Sequence, residues 1–301
     1  MVPLKVLPAH GTGVTPPFSP REAVGLFLRG LAMGASDIIP GVSGGTMAFI
    51  TGIYGRLISA ISHVHPSIIL CLVRGDREGF VAGIRDCDPW FLVVLLAGIA
   101  TAALAMSQLI LFLLGEVAEA TYAFFFGLIL SSAVLIAAEI ESRDMRAAIF
   151  AAAGLGAGYI IAGLSPALFP HSLPMLFVTG MCAICAMILP GISGAYITLL
   201  FGQYEYLLHA LRALSLSDII AFITGGVAGL LLFSRILRYL MDRHPAAVLA
   251  FLTGLMVGST RLLLVRITDG AGFSPSVAVA CVAGFGLVGA AEYLRRRAAG
   301  G

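Results

Sequence analysis

The chain is short of charge. Asp, Glu, Lys and Arg together make up 11% of its 301 residues, where a soluble domain carries about 25%. It is 59% hydrophobic, with a mean hydropathy of +1.01. That balance excludes an ordinary soluble fold. Apolar runs recur that are long enough to cross a hydrocarbon layer of roughly 30 Å. The formal net charge of +2 carries little by itself, and no nucleic-acid partner is expected. Histidine is scarce where catalysis would need it: none lies inside an apolar span, and His209 and His244 sit at span ends. A paired cysteine framework is also missing. Cys71, Cys87, Cys182, Cys185 and Cys281 are scattered, and the one C-x-x-C, Cys182 with Cys185, lies on an oily segment without a second pair. Small packing residues are the favoured reading, with no metal and no cofactor. The proline-rich residues 1–21 lack an apolar core and read as a disordered tail rather than a signal peptide.

What is present is a set of apolar blocks: 22–62, 89–114, 118–140, 146–168, 174–211, 217–240, 245–265 and 274–294. Two are interrupted, by 40-PGVSGG-45 and by 190-PGISGA-195. Proline removes a backbone donor and glycine disfavours helix, so each interrupted block reads as helix, break, helix. The chain also repeats itself. At an offset of 150, Gly30/Gly180, Ile38/Ile188, Pro40/Pro190, Gly41/Gly191, Ser43/Ser193, Gly44/Gly194, Gly52/Gly202, Tyr54/Tyr204, Leu57/Leu207 and Ala60/Ala210 coincide. Downstream the echo is weaker, at an offset of 127–130: 123-AFFFGLILSS-132 resembles 250-AFLTGLMVGS-259, and 153-AGLG-156 resembles 283-AGFG-286. Residues 22–168 thus form one repeat and 174–294 a second, each a broken block followed by three ordinary spans.

Charge counting decides how a broken block runs, because cytoplasmic loops collect Lys and Arg. If each block crosses once, Lys5, Arg21, Arg235, Arg238, Arg243, Arg295, Arg296 and Arg297 share one side. Arg74, Arg77, Arg85, Arg143, Arg146, Arg212, Arg261 and Arg266 then share the other, and there is no bias. If each block is re-entrant, only Arg212, Arg261 and Arg266 remain opposite the termini. The second reading gives a strong bias and puts both termini in the cytoplasm. Each half then crosses three times, so the second is inverted relative to the first. The expected fold is an all-α polytopic membrane protein with an inverted-topology repeat, each half a re-entrant helical hairpin plus three transmembrane helices, an architecture of secondary transporters.

The breaks carry the candidate chemistry. Non-helical backbone at membrane depth persists only where protein buries it or a cavity wets it. A helix restarting after Pro40–Gly41 or Pro190–Gly191 aims free N–H groups at the bilayer centre, where they would favour an anion. Gly44, Gly45 and Gly194 let backbone approach a ligand, and Ser43, Thr46, Ser193 and Tyr196 add hydroxyls. The competing reading is a kink with close small-residue packing; duplication with serine held in both copies weighs against it. Arg29 would hold a phosphate, and its competing reading is a snorkel to the headgroups. Asp37 would bind a proton or sodium ion, or hold Arg29. Thr179 and Met187 replace these two in the second repeat, so the charged apparatus is one-sided. Tyr54 and Tyr204 read as interfacial anchors.

The pair 38-IIPGVSGGTMAFITGIY-54 and 188-ILPGISGAYITLLFGQY-204 resembles the doubled signature of the DUF368 family, the prokaryotic polyprenyl-phosphate translocases, over roughly residues 22–294. The resemblance implies a protein of the cytoplasmic membrane that returns undecaprenyl phosphate, or a related polyprenyl phosphate, to the cytoplasmic leaflet for reuse in envelope glycan synthesis. It implies binding positions at Pro40, Gly41, Ser43, Gly44, Gly45, Thr46, Pro190, Gly191, Ser193 and Gly194, with Arg29 and Asp37 matching a basic and a polar position. Ala195 and Tyr196 stand opposite Gly45 and Thr46, so the second tip reads as less open. Two rivals follow from the residues alone. A small-anion or sodium-coupled transporter or channel would use the same helix tips. An intramembrane serine hydrolase is suggested by 41-GVSGG-45, but a serine nucleophile needs a base within reach. A purely structural scaffold is disfavoured, because polar groups without a role are costly in lipid.

Overall fold

The computed structural model describes residues 19–37, 43–64, 68, 71, 74–105, 107–142, 144–167, 169–269 and 274–299. Among these the chain is all helical. The broken first block gives α1 (Pro20–Asp37), α2 (Gly44–Ile50) and α3 (Tyr54–Ser62). A helix absent from the sequence reading, α4 (Arg77–Asp86), follows, then α5 (Pro89–Ala105), α6 (Ser107–Glu116), α7 (Ala118–Ala138) and α8 (Met145–Ile161). The second half supplies α9 (Leu173–Ile188), α10 (Gly194–Leu200), α11 (Tyr204–Arg212), α12 (Leu216–Arg243), α13 (Pro245–Thr268) and α14 (Pro275–Ala299). Helices α7, α12 and α13 are long and apolar enough to cross a membrane, and α5, α8, α9 and α14 hold shorter apolar stretches. The protein is a multi-pass membrane protein. Trp90, Val93 and Leu96 on α5 and Val279 and Val282 on α14 face outward, as a lipid-bathed surface requires.

Local signals account for the boundaries. Pro20, Pro89, Pro245 and Pro275 open their helices, where the missing N–H costs nothing and the fixed φ is already helical. Asp76 and Asp144 cap α4 and α8 by accepting from Gly79 N–H and Ala147 N–H, each at 2.9 Å. Helix α4 escapes a hydropathy reading because it is short, and Arg77, Glu78, Arg85 and Asp86 lie along it. Helix α8 stops at Ile161 rather than running on toward 168, since Gly163 and Pro166 follow.

The duplication reappears in the elements. Helices α2 and α10, and α3 and α11, are offset by 150 at both ends. The pair α5–α6 spans Pro89 to Glu116, and α12 spans Leu216 to Arg243, an offset of 127. Packing repeats residue for residue. Helix α1 meets α5 where Gly98 abuts the Phe27 carbonyl, and α9 meets α12 where Gly225 abuts the Phe177 carbonyl. Across the halves, α8 packs on α13 and α14 packs on α7. Gly154 there meets the Phe251 carbonyl, and Gly284 the Phe124 carbonyl. Any side chain at these glycines would collide with backbone. Lipid tails are as apolar as leucine, so burial of oil does not drive helix pairing within a bilayer; close backbone approach through small residues does. Helices α7 and α13 pack on each other, each the counterpart of the other.

Candidate functional site at two abutting helix breaks

In both broken blocks the short helix after the break packs against the helix before it. Gly194, at the start of α10, lies against the Ala183 carbonyl and the Met187 side chain of α9. A helix continuing straight would have carried it far from both, at 1.5 Å per residue. At the start of α2, Gly44 N–H donates to Asp37 Oδ1, 2.7 Å away, across the first break. The outer ends return as well. Arg56 at the start of α3 reaches Glu22 of α1 at 3.7 Å and Asp88 ahead of α5 at 2.7 Å, with its guanidinium 4.6 Å from the Phe91 ring. The same end of the molecule holds Arg238 of α12, whose Nη1 donates to Ser62 Oγ at 3.1 Å and lies 2.7 Å from His63 Nε2. In the second block, Gln203 is fully buried, donates to the Phe169 carbonyl at 3.3 Å and lies 2.8 Å from His171 Nδ1. The segment before α9 is thereby tied to the segment after α10.

The two breaks touch. Ser43 Oγ lies 3.2 Å from the Met187 carbonyl and 3.1 Å from the Leu189 carbonyl, donating across to the second break. The same oxygen accepts from Gly45 N–H at 3.1 Å, the N-cap bond of α2. Gly191 N–H returns a bond to Thr46 Oγ1 at 3.1 Å. Gly191 has φ +91, a left-handed conformation that glycine adopts without strain. Gly45 faces the Ile188 carbonyl so closely that a Cβ would sit 2.6 Å from it. Ser43 and Thr46 are 0% exposed and Ser193 is 2% exposed. Pro190, Gly191 and Gly194 are buried beside them. The contact is buried and held by hydrogen bonds.

The structure therefore brings Ser43, Gly44, Gly45 and Thr46 against Gly191 and its neighbours, with Ser193 and Gly194 close behind. Pro40 and Gly41 lie outside the described residues. Asp37 accepts from the first N–H of α2 and makes no ion pair with Arg29 among the described residues. Of the roles expected for it, holding Arg29 is not seen; its carboxylate accepts from Gly44 N–H instead. Arg29 is exposed on α1, beside outward-facing Val24 and Leu28. Tyr196 turns from the contact and donates to the Ile161 and Leu164 carbonyls, both at 3.1 Å. Tyr54 is no interfacial anchor: it is 2% exposed, with its ring stacked on Phe49 at 3.9 Å. The fold-back of α2 carries it inside, and among the described residues its hydroxyl has no hydrogen-bond partner. Gln203 was missed too, since a lone glutamine after Phe-Gly carries no signal. So were Glu139 and Glu292, which with Phe49, Ile50 and Ser132 line a cavity of about 20 Å³, room for one water molecule.

Comparison with known proteins bears on the whole of this region. A family profile described as VCA0040-like, undecaprenyl phosphate translocase-like, matches residues 33–269. The match covers both breaks and begins after Arg29. A polyprenyl-phosphate transporter of Vibrio cholerae is 42% identical over 233 residues, 77% of this chain and 75% of that one. A polyprenyl-phosphate transporter of Staphylococcus aureus is 31% identical over 250 residues, 77% of this chain and 83% of that one. No solved structure matches. With a profile spanning more than half its length and both breaks inside the match, the chain belongs to the undecaprenyl phosphate translocase-like family.

Proposed function

We propose that this protein translocates undecaprenyl phosphate, or a related polyprenyl phosphate, across the prokaryotic cytoplasmic membrane toward the cytoplasmic leaflet, returning the carrier lipid for reuse. The observation that carries the reading is the direct contact of the two breaks, one from each half, in a chain whose relatives are polyprenyl-phosphate transporters. The blocks act as re-entrant hairpins. The meeting of Arg56 with Glu22, and of Gln203 with His171, supports this, since the two ends of each block then share a face. Three crossings per half make the repeats inverted, with the termini in the cytoplasm, and the tips meet from opposite leaflets.

In this mechanism the isoprenoid tail stays in lipid while the phosphate passes between the tips. Ser43, Thr46 and Ser193 donate to it, Gly44, Gly45, Gly191 and Gly194 admit it to the backbone, and Pro190 keeps the second break from continuing as helix. Arg29, on the outward face of α1, meets the headgroup first and offsets its charge. Tyr196 stands at the rim. A proton or sodium ion, with Asp37 as its receiver, accompanies the one to two negative charges of the phosphate. No bond in the lipid is made or broken, and no resident cofactor or metal takes part.

The test is flipping of a labelled polyprenyl phosphate in liposomes. Arg29→Ala and Ser43→Ala should each slow it at least tenfold; undiminished flipping by both removes those residues from the mechanism. Ion current through the reconstituted protein, indifferent to polyprenyl phosphate, would favour a small-ion channel instead.

A further inference from the structure

We propose that Ser43 and Thr46 form a latch that keeps the two tips shut until a phosphate headgroup replaces the latch bonds. This deepens the transport reading and rests on it. The bonds are reciprocal in direction but not in source. Ser43 donates across to the Met187 and Leu189 carbonyls, and Thr46 accepts from Gly191 N–H. Every side chain in the latch comes from the first tip, and every main-chain partner from the second. Among the described residues Ser193 gives no side-chain cap to α10, and Tyr196 is engaged at Ile161 and Leu164. The second tip carries Tyr196 where the first carries Thr46, so the side-chain bonds described between the tips come from the first.

The chemistry makes latching and binding exclusive. Parting the tips frees the Ser43 hydroxyl, the Thr46 hydroxyl and the Gly191 N–H together. In a buried setting unpaired polar groups are costly, so the empty tips close. A phosphate oxygen accepts from hydroxyls and N–H groups alike, and charge-assisted bonds to it are stronger than the neutral bonds they replace. A polyprenol lacks that acceptor set and leaves the latch shut. The latch therefore also selects for the charged headgroup.

The experiment uses the full chain with its five native cysteines replaced and Ser193→Cys as reporter. A water-soluble thiol reagent measures how often the tips part. Thr46→Val keeps the volume and removes the acceptor of Gly191 N–H; Thr46→Ser keeps the acceptor. Modification of the thiol at 193 should be on the order of tenfold faster with Thr46→Val, as loss of one buried bond implies, and near the parent rate with Thr46→Ser. Equal rates for the two variants overturn the latch. If Thr46→Val does not yield a monodisperse, helical protein, Ser43→Ala takes its place, with the same acceleration expected and the same overturning result. Liposome flipping of polyprenyl phosphate by the unsubstituted chain is run in parallel. Flipping with equal thiol rates discards the latch alone, whereas no flipping discards the transport reading beneath it.

Discussion

Gly45 shows how little room the tips leave. A Cβ there would stand 2.6 Å from the Ile188 carbonyl, a backbone atom that cannot rotate away. Gly45→Ala should therefore cost about 1–3 kcal/mol of stability by overpacking and should force the tips apart. Thermal unfolding in detergent checks the first outcome, and flipping in liposomes the second. Gly25 is the contrast: nothing lies within 4 Å of a Cβ placed there, so Gly25→Ala should leave both measurements unchanged. In the sequence both are glycines of the first apolar block. What separates them is the neighbour across the gap, and that neighbour is a main-chain oxygen with no residue letter of its own.

Helix pairing carries the same lesson further. Gly154 against Phe251 and Gly284 against Phe124 are copies of one interface, α8 on α13 and α14 on α7. Gly154→Leu and Gly284→Leu should each destabilise the fold by a few kcal/mol, and by similar amounts, because both wedge a side chain between backbones. Melting temperatures in detergent test the parity, and a large loss at one glycine with none at the other would mean that the copies are not equivalent. At the end of the first block, Arg56 bonds Asp88 at 2.7 Å, with side chains 33% and 22% exposed. The pair is partly buried, so it exceeds a surface ion pair in worth but not by a large margin. Asp88→Asn should lower stability by about 1 kcal/mol, read in the same melt. The internal repeat and the breaks were legible from residue identities, because proline and glycine act locally. The pairing of α8 with α13 was not. It exchanges helices between halves, and nothing local distinguishes a helix packed on its own half from one packed on the other.

The proposed inversion is a statement about sides. Thiols placed at position 74, just before α4, and at position 215, just before α12, should lie across the membrane from each other. In intact cells an impermeant thiol reagent should label Ser215→Cys and spare Arg74→Cys; labelling of both or of neither contradicts three crossings per half. The re-entrant reading of the Arg and Lys distribution places these positions on opposite sides, whereas single crossings would place them on one side. The short helices α2 and α10 run from break to turn, seven residues each, about 10 Å at 1.5 Å per residue. That is too short to reach a far surface, which fits re-entrance better than a second crossing.

Membrane residence, helical class, the two breaks and the duplication are settled by composition and by residues acting on their own backbone: apolar length, proline without a donor, glycine without a side chain. The contact between the breaks belongs to the folded molecule. Ser43 and Thr46 could be named from the sequence, but their partners are the carbonyls of Met187 and Leu189 and the N–H of Gly191, groups that every residue type possesses. Capping of α2 by Asp37, the outward face of Arg29 and the burial of Tyr54 were decided in the same way. Each depends on which helix lies alongside, and that follows from glycine-mediated fits between segments far apart in the chain.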